Sequence, residues 1–299
     1  MGTESPPASR VKLFLAFACI YVVWGSTYLA IRVAVETLPP FLMAGTRFLL
    51  AGTFLYTWGT RRGSPRPTAR QWRNAVIAGI PLFVMGNGGV SWAEQTFPSG
   101  LAALVVATLP AWLLLFDWLI GGRRGPRPIE VVGIGLGLAG VAVLATPQEG
   151  GSLVGIAVLV GASIAWAAGS LFSRYADLPA SPVRTAGMQM LAGGAVMVVL
   201  GPVLGETSRL SLGAVSLDSV LAFAYLVAAA VVALPAYTWL LTVSSPALVG
   251  TYAFVNPIVA VALGWALAGE PLTGRTGLAV VLVVAGVALL TWPRRRPTE

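Results

Sequence analysis

Histidine is absent from this 299-residue chain, cysteine occurs once, and charged side chains make up only 10% of it. Each shortage excludes something. Without histidine there is no Ser–His nucleophile pair and no His-bearing metal site. Cys19 alone cannot form an intrachain disulfide, and its place in an apolar run says little about redox compartment. A soluble domain carries about 25% charged residues. A chain of this length with 10% could not cover its surface in water, whereas a lipid-facing surface needs no charge at all. What fills the chain is apolar: 57% hydrophobic residues, a mean hydropathy of +0.82, and 35 glycines, a residue commoner in membrane helices than in soluble ones.

A helix needs about 20 mostly apolar residues to cross the hydrocarbon core. Segments near that length fall at about 12–34, 41–59, 74–93, 97–120, 129–146, 153–174, 184–204, 219–241, 246–268 and 275–292. The sequence therefore predicts an all-α integral membrane protein of ten transmembrane helices. The apolarity runs at helix length, not in the alternating ~10-residue pattern of barrel strands. Arg10 and Lys12 precede the first run as they would in a signal peptide, but that run extends from about Leu13 to Val35. It is too long for a signal h-region and no small-residue cleavage site follows, so it is expected to stay as the first helix.

Loop cations set the orientation. With the N-terminus cytoplasmic, one side holds Arg10, Lys12, Arg61, Arg62, Arg66, Arg70, Arg73, Arg123, Arg124, Arg127, Arg174, Arg184 and Arg294–Arg296, and the other only Arg209 and Arg275. The bias predicts a bacterial inner-membrane protein with both termini cytoplasmic. It also explains the net charge of +8 without a nucleic-acid partner. The acids Glu36, Glu94, Glu149, Glu206, Asp218 and Glu270 gather on the outer side.

The chain repeats itself. At an offset of 142, Trp24, Leu29, Arg32 and Ala34 match Trp166, Leu171, Arg174 and Ala176. The same offset aligns Ala44-Gly45 with Ala186-Gly187, Leu49 with Leu191, and Gly52 with Gly194. At 147, Trp92, Leu101, Pro110, Trp118 and Gly122 match Trp239, Leu248, Pro257, Trp265 and Gly269. Ala139-Gly140-Val141-Ala142 returns as Ala285-Gly286-Val287-Ala288. Residues 1–148 and 149–299 read as two five-helix halves. An odd helix count makes the second half enter the membrane in the opposite sense, giving two inverted repeats. In secondary transporters that architecture holds substrate near the midplane, between the halves.

The chain resembles the EamA family of the drug/metabolite transporter superfamily over nearly its whole length. The segments that carry the resemblance are Trp24-Gly25-Ser26-Thr27-Tyr28, Gly86-Asn87-Gly88, Ser99-Gly100-Leu101-Ala102-Ala103-Leu104 leading to Pro110, and Gly264-Trp265 ending in Gly269-Glu270. The resemblance implies an exporter of small metabolites, amino acids or drugs with both termini cytoplasmic. One departure is that Gly122-Arg123 stands where the family often has a second Gly-Glu.

Polar groups inside hydrocarbon usually face protein or a water-filled cavity. Trp24 and Trp166 fall mid-helix, followed by Thr27, Tyr28 and Ser170, and are read as walls of a central cavity, the alternative being ring packing between helices. Asn87 sits between two glycines. Asn256 precedes Pro257, with Tyr252 one turn earlier. A proline inside a helix frees backbone for ligand binding, or only kinks the helix. Trp112 and Tyr237 complete the cavity set. Arg47, Arg32, Glu36 and Glu94 are candidates for a gate or for a substrate's charge, with snorkelling or a structural ion pair as the alternative. Asp117 is the one acid well inside a predicted helix, so weak proton coupling or facilitated diffusion is expected. Small-residue spacing at Gly133, Gly137 and Gly140 predicts a close helix contact, within or between chains. The expected partners are a small-molecule substrate and membrane lipids, with no cofactor and no metal. A monomer is the working expectation. A lipid or lipid-linked sugar flippase of the same fold is the rival function. A membrane enzyme is disfavoured by the missing histidines, and a channel by the lack of a charged ring or filter loop.

Overall fold

The computed structural model describes residues 10–63, 65–121, 127–144, 152–244, 249–250 and 252–290. The division at 148 and 149, Glu149, the Gly122-Arg123 pair, Arg124 and Arg294–Arg296 lie outside them. Among the described residues the chain forms ten helical rods: α1 (Arg10–Ala34), α2 (Pro40–Arg61), α3 (Ala69–Ala93), α4 in two pieces (Ser99–Val106 and Leu109–Gly121), α5 (Pro128–Leu144), α6 (Leu153–Tyr175), α7 (Pro182–Val203), α8 (Leu217–Val243), α9 (Tyr252–Ala268) and α10 (Gly274–Leu290). Their order is the predicted one. Six of them, α1, α3, α4, α6, α7 and α8, are long and apolar enough to cross a membrane. Large apolar side chains such as Phe14, Val199, Val203, Leu217 and Val281 stand exposed on the outside of the bundle, as a lipid-facing surface requires.

Local chemistry explains where the rods depart from the predicted segments. Helix α3 begins at Ala69, not near residue 74. Thr68 and Gln71 form a capping box, each side chain accepting from the other's backbone N–H, at 3.2 and 3.1 Å. That polar first turn is invisible to a count of apolar residues. Further along, Ile80–Asn87 widens into a π-helix just where Pro81 removes a backbone donor. The two pieces of α4 part just before Pro110, for the same reason.

The rods end on two faces. A basic face gathers Arg61, Arg62, Arg70, Arg73, Arg174 and Arg184; an acidic face gathers Glu36, Glu94, Glu206, Asp218 and Glu270. Bonds between rods agree with this. On the basic face Arg184 donates to Thr60 Oγ1 at 2.9 Å and to the Pro65 carbonyl, and Asn74 donates to the Asp177 carbonyl. On the acidic face the Ser219 hydroxyl donates to the Val33 carbonyl and the Ser216 N–H to Thr37 Oγ1. Arg184, read from sequence as a loop charge, is in fact fully buried at the start of α7.

Two glycine seams hold the halves together. Along α2 and α7, glycines recur every seventh residue: Gly45, Gly52 and Gly59, against Gly187, Gly194 and Gly201. A Cβ added at Gly52 would meet the Gly187 carbonyl at 3.0 Å, and one at Gly194 would meet the Gly45 carbonyl at 3.0 Å. Gly59 faces Arg184 and Gly201 faces Leu42. Shifting every number by 142 turns each of these contacts into another member of the set, so a pseudo-two-fold axis passes through the seam. The second seam joins α5 and α10. Gly140 meets the Ala279 carbonyl and Val283, while Gly286 meets the Gly133 carbonyl and the Gly137 N–H. Here the shift is 146, and the set again maps onto itself. The close contact expected at Gly133, Gly137 and Gly140 therefore lies within the chain. Without a hydrophobic force between helices in lipid, such close backbone approach supplies the packing energy.

Candidate substrate cavity

A cavity of about 100 Å³ opens between α1, α2, α3, α4, α6, α8 and α9. That is several times the ~10–15 Å³ one water needs. Of the ten cavity residues expected from sequence, seven line it, Trp24, Thr27, Tyr28, Asn87, Trp166, Tyr252 and Asn256, and Arg47 joins them from the charged set. Ser170 and Tyr237 sit beneath, bonded hydroxyl to hydroxyl at 2.9 Å. Trp112 goes elsewhere. Its indole donates to Thr108 Oγ1 at 3.3 Å, and its ring borders a smaller cavity with Gly133, Ile134, Gly137 and Val287.

The floor on the basic side is aromatic. Trp24 and Trp166, the repeat-related pair, meet edge to face with ring centroids 5.7 Å apart and planes at 88°. Tyr237 lies 4.8 Å and Tyr252 5.0 Å from the Trp24 ring. Packed with them in the same cluster, Ile20, Leu240 and Val249 are buried. Edge-to-face pairs add about 0.5–1.5 kcal/mol each beyond burial, so this floor is a cohesive plug. Thr27 turns its hydroxyl back to the Trp24 carbonyl at 2.7 Å. The Asn256 amide, with its nitrogen toward α1, donates to the Tyr252 and Tyr21 carbonyls at 3.2 and 3.1 Å, tying α9 to α1.

One cation faces this space. Arg47 is buried, 3% exposed, with its guanidinium 4.4 Å from the Phe48 ring centroid. One terminal nitrogen donates to Asn87 Oδ1 at 2.8 Å, and Nε has no partner. An arginine in hydrocarbon is expensive. Here the cation–π contact and the Asn87 bond offset only part of that cost, leaving donor capacity for an anion. The glycines beside Asn87 make room for the walls. A Cβ at Gly86 would press on the Trp166 ring at 3.0 Å, and one at Gly88 on Phe41 at 2.8 Å.

The other charged candidates stand apart from the cavity. Arg32 donates to the Glu94 and Gln95 carbonyls at 2.8 and 2.9 Å. Its repeat equivalent, Arg174, donates to the Leu241 carbonyl at 3.1 Å, and Leu241 is the equivalent of Glu94. Both arginines therefore tie the end of one rod to the end of another. Glu36 is exposed, and Arg32 turns to carbonyls instead of to it. Glu94 is fully buried, and neither carboxylate oxygen has a hydrogen-bond partner.

Two of the acids read as outer charges, Glu270 (also part of the Gly-Glu motif) and Glu206, have definite work. Glu270 accepts from the Ser99 N–H and hydroxyl, both at 2.7 Å, and from the Gly100 N–H at 3.0 Å. It caps the N-terminus of α4, where the helix dipole favours an anion. Gly269, at φ +64°, turns the chain out of α9 toward it, and at Gly264 any Cβ would collide with the Glu270 carboxylate. The Gly264…Gly269-Glu270 and Ser99-Gly100 motifs are thus two halves of one clamp. Glu206 does the same for α2, accepting from the Phe41 and Leu42 N–H groups at 3.0 and 2.8 Å. The remaining walls, among them Ile31, Val90, Ala162, Leu226, Ala229 and Leu234, are apolar residues on apolar helices, with no sequence signal to single them out.

The EamA-like transporter family matches residues 12–146 and again 153–292. The chain is 42% identical over 288 residues to the "Uncharacterized inner membrane transporter YedA" of Escherichia coli strain K12, covering 94% of this chain and 91% of that one. It is 27% identical over 299 residues to a "Probable amino-acid metabolite efflux pump" of Salmonella typhimurium, covering 93% and 94%. A protein crystal structure with 24% identity superposes with a TM-score of 0.67 over 94% of this chain and 96% of that one, which shows the shared fold. With both five-helix halves matched, this multi-pass membrane protein is a transporter and not an enzyme: the chain belongs to the EamA-like transporter family.

Proposed function

We propose that the chain exports small amphiphilic metabolites, amino acids or drugs across the inner membrane by alternating access around the central cavity. The observation that carries this reading is the cavity itself. It lies between inverted halves, is walled by aromatic rings, and offers one buried cation, Arg47, with an uncommitted Nε. A molecule with an apolar body and an anionic group suits both features. The two glycine seams lie on the pseudo-two-fold axis, so rocking the halves about them would exchange two arrangements of similar energy. In the present arrangement the aromatic plug closes the cavity toward the basic face. The cation bias supports a cytoplasmic side for that face and for both termini. Downhill flux needs no coupling ion; among the described acids, Glu94 is the one whose carboxylate oxygens are buried without a hydrogen-bond partner.

A lipid flippase of the same fold would need the cavity open to the bilayer between two helices. Along α1 and α8 that seam is bridged by the Ser26 and Tyr225 hydroxyls, 2.5 Å apart, on the exposed side. This favours a water-soluble substrate. The test is competition in proteoliposomes: labelled amino acids, nucleosides, cationic drugs and phospholipids are offered to the purified chain. Saturable flux of a soluble amphiphile is expected. Phospholipid translocation with no soluble flux would replace this reading with the flippase.

A further inference from the structure

Glu94 has no part in the cavity as described, and its surroundings are unusual. It ends α3, one turn beyond Val90, a cavity wall. Its side chain is 0% exposed with both oxygens unbonded. The charged and ionisable groups that face it are Tyr28 and Arg32 from α1, Arg47 from α2, and Glu270 from the turn after α9. Three of these have commitments elsewhere. Arg32 holds the Glu94 and Gln95 carbonyls, Arg47 holds Asn87, and Glu270 holds Ser99 and Gly100. Both Glu94 oxygens, by contrast, lack a hydrogen-bond partner. An ionised carboxylate left in that state costs several kcal/mol, and a second acid nearby adds to the cost. Arg32 and Arg47 lower that cost from a distance, but neither donates to the carboxylate, so the group still calls for a proton or a cation in direct contact.

Arg47 Nε is idle as well, so a cation that lines the cavity and an acid one turn beyond its wall at Val90 stand in electrostatic reach of each other, both with free polar atoms. A zwitterion carries the complement of both: a carboxylate for Arg47 and an ammonium for Glu94. We propose that Glu94 is a proton-exchange site, protonated while the cavity is empty and releasing that proton to water when the ammonium group of an amine or zwitterionic substrate takes its place. Charge balances, since one monovalent cation replaces another. Over a full cycle one proton moves against each substrate, which would let an inward proton gradient drive export. The proton site is inferred from the burial and the unbonded oxygens of Glu94; its coupling to flux rests on the transport reading above.

Three related probes separate the parts. Purified full-length chain in lightly buffered detergent, with a pH dye, is mixed with L-phenylalanine, phenethylamine or phenylacetate. The first two carry an ammonium and the third does not. Wild type should release about one proton per chain with the first two and none with phenylacetate. Glu94→Gln should release none, and Glu94→Asp should retain release. Release that persists in Glu94→Gln, or no release from wild type, overturns the proposal. Should Glu94→Gln fail to fold, infrared pH-difference spectra of wild type and Glu94→Asp decide the matter. The protonated-carboxyl band should move with the altered side chain, and an unmoved band overturns the assignment. In proteoliposomes, an imposed pH gradient should raise labelled phenylalanine flux several-fold in wild type and leave the Glu94→Gln flux unchanged. Flux indifferent to the gradient in wild type defeats the coupling while leaving transport standing. Absence of flux for all three probes counts against the transport reading, with the dye assay still judging the proton site.

Discussion

Replacing Gly52 or Gly194 by alanine tests the inverted repeat as physics and not only as sequence. The two positions are repeat equivalents, and the structure gives them matching surroundings. A Cβ at Gly52 meets the Gly187 carbonyl, the Leu191 nitrogen and Met190 Cβ, all at 3.0 Å. A Cβ at Gly194 meets the Gly45 carbonyl and the Leu49 nitrogen at 3.0 Å and Leu49 Cγ at 3.2 Å. In each case two of the three atoms are backbone, which cannot swing aside. Relief must come from separating α2 and α7. Overpacking of this kind costs about 1–3 kcal/mol, and alanine's better helix propensity returns up to ~1 kcal/mol. The expected net loss is roughly 1–2 kcal/mol for either variant, equal within error. The double variant should lose less than the sum, because helices already forced apart admit the second methyl more cheaply. Reversible unfolding of the purified chain in mixed dodecyl maltoside and SDS micelles, followed by ellipticity, measures this. Gly161→Ala is the control: its Cβ meets nothing within 4 Å, so it should be neutral or slightly stabilising. One variant tolerated and its equivalent not, or full additivity in the double variant, would refute the shared rigid seam.

Other outcomes follow from the clamps and the cation. Glu270→Gln keeps the shape of the α4 cap but removes its charge, and should lower stability in the same unfolding assay by about 1–3 kcal/mol. Gly269→Ala forces a side chain into the left-handed region at φ +64° and should cost about 1–2 kcal/mol. Arg47→Met should weaken binding of phenylalanine, read by competition in proteoliposomes, by about tenfold or more, while phenethylamine is little affected. Equal losses for both would show that Arg47 does not meet the carboxylate.

Sequence revealed the ten rods, their order and the duplication, because membrane helices announce themselves by length and apolarity. It also pointed to Trp24, Tyr28, Asn87, Trp166 and Asn256 as cavity walls, since aromatic and amide groups are conspicuous in hydrocarbon. Four features were hidden. The polar first turn of α3 and the burial of Arg184 could not be seen, because a charge near a rod's end looks like a loop charge until its partners, Thr60 and the Pro65 carbonyl, are placed. Trp112 has the same sequence signature as Trp24, and only the direction of its face, toward α5 and α10, separates them. The walls from α8 are apolar residues on a helix apolar all round, so periodicity could not say which side faces the cavity.

The duplication kept packing and let chemistry diverge. The seam glycines survive in both halves, and so do the end ties: Arg32 on the Glu94 carbonyl and Arg174 on the Leu241 carbonyl. Polar groups in the cavity do not. The equivalent of Arg47 is Gln189, which reaches Ser173 and not the cavity. The equivalents of Asn87 and Glu94, at the offset of 147, are Leu234 and Leu241. Packing must be duplicated for the two arrangements of an alternating device to match in energy. A binding group has no such constraint, because a substrate near the axis can be held from one half through the whole cycle. The cavity's cation and the acid near it, Arg47 and Glu94, therefore both belong to the first half, while the second supplies aromatic and apolar wall and the Asn256 amide. That division predicts that exchanging Gln189 for arginine will not create a second site, and that removing Arg47 cannot be compensated from across the axis. Arg47→Gln combined with Gln189→Arg should bind phenylalanine no better than Arg47→Gln alone; recovery of binding in the double variant would show that the halves remain interchangeable at the site.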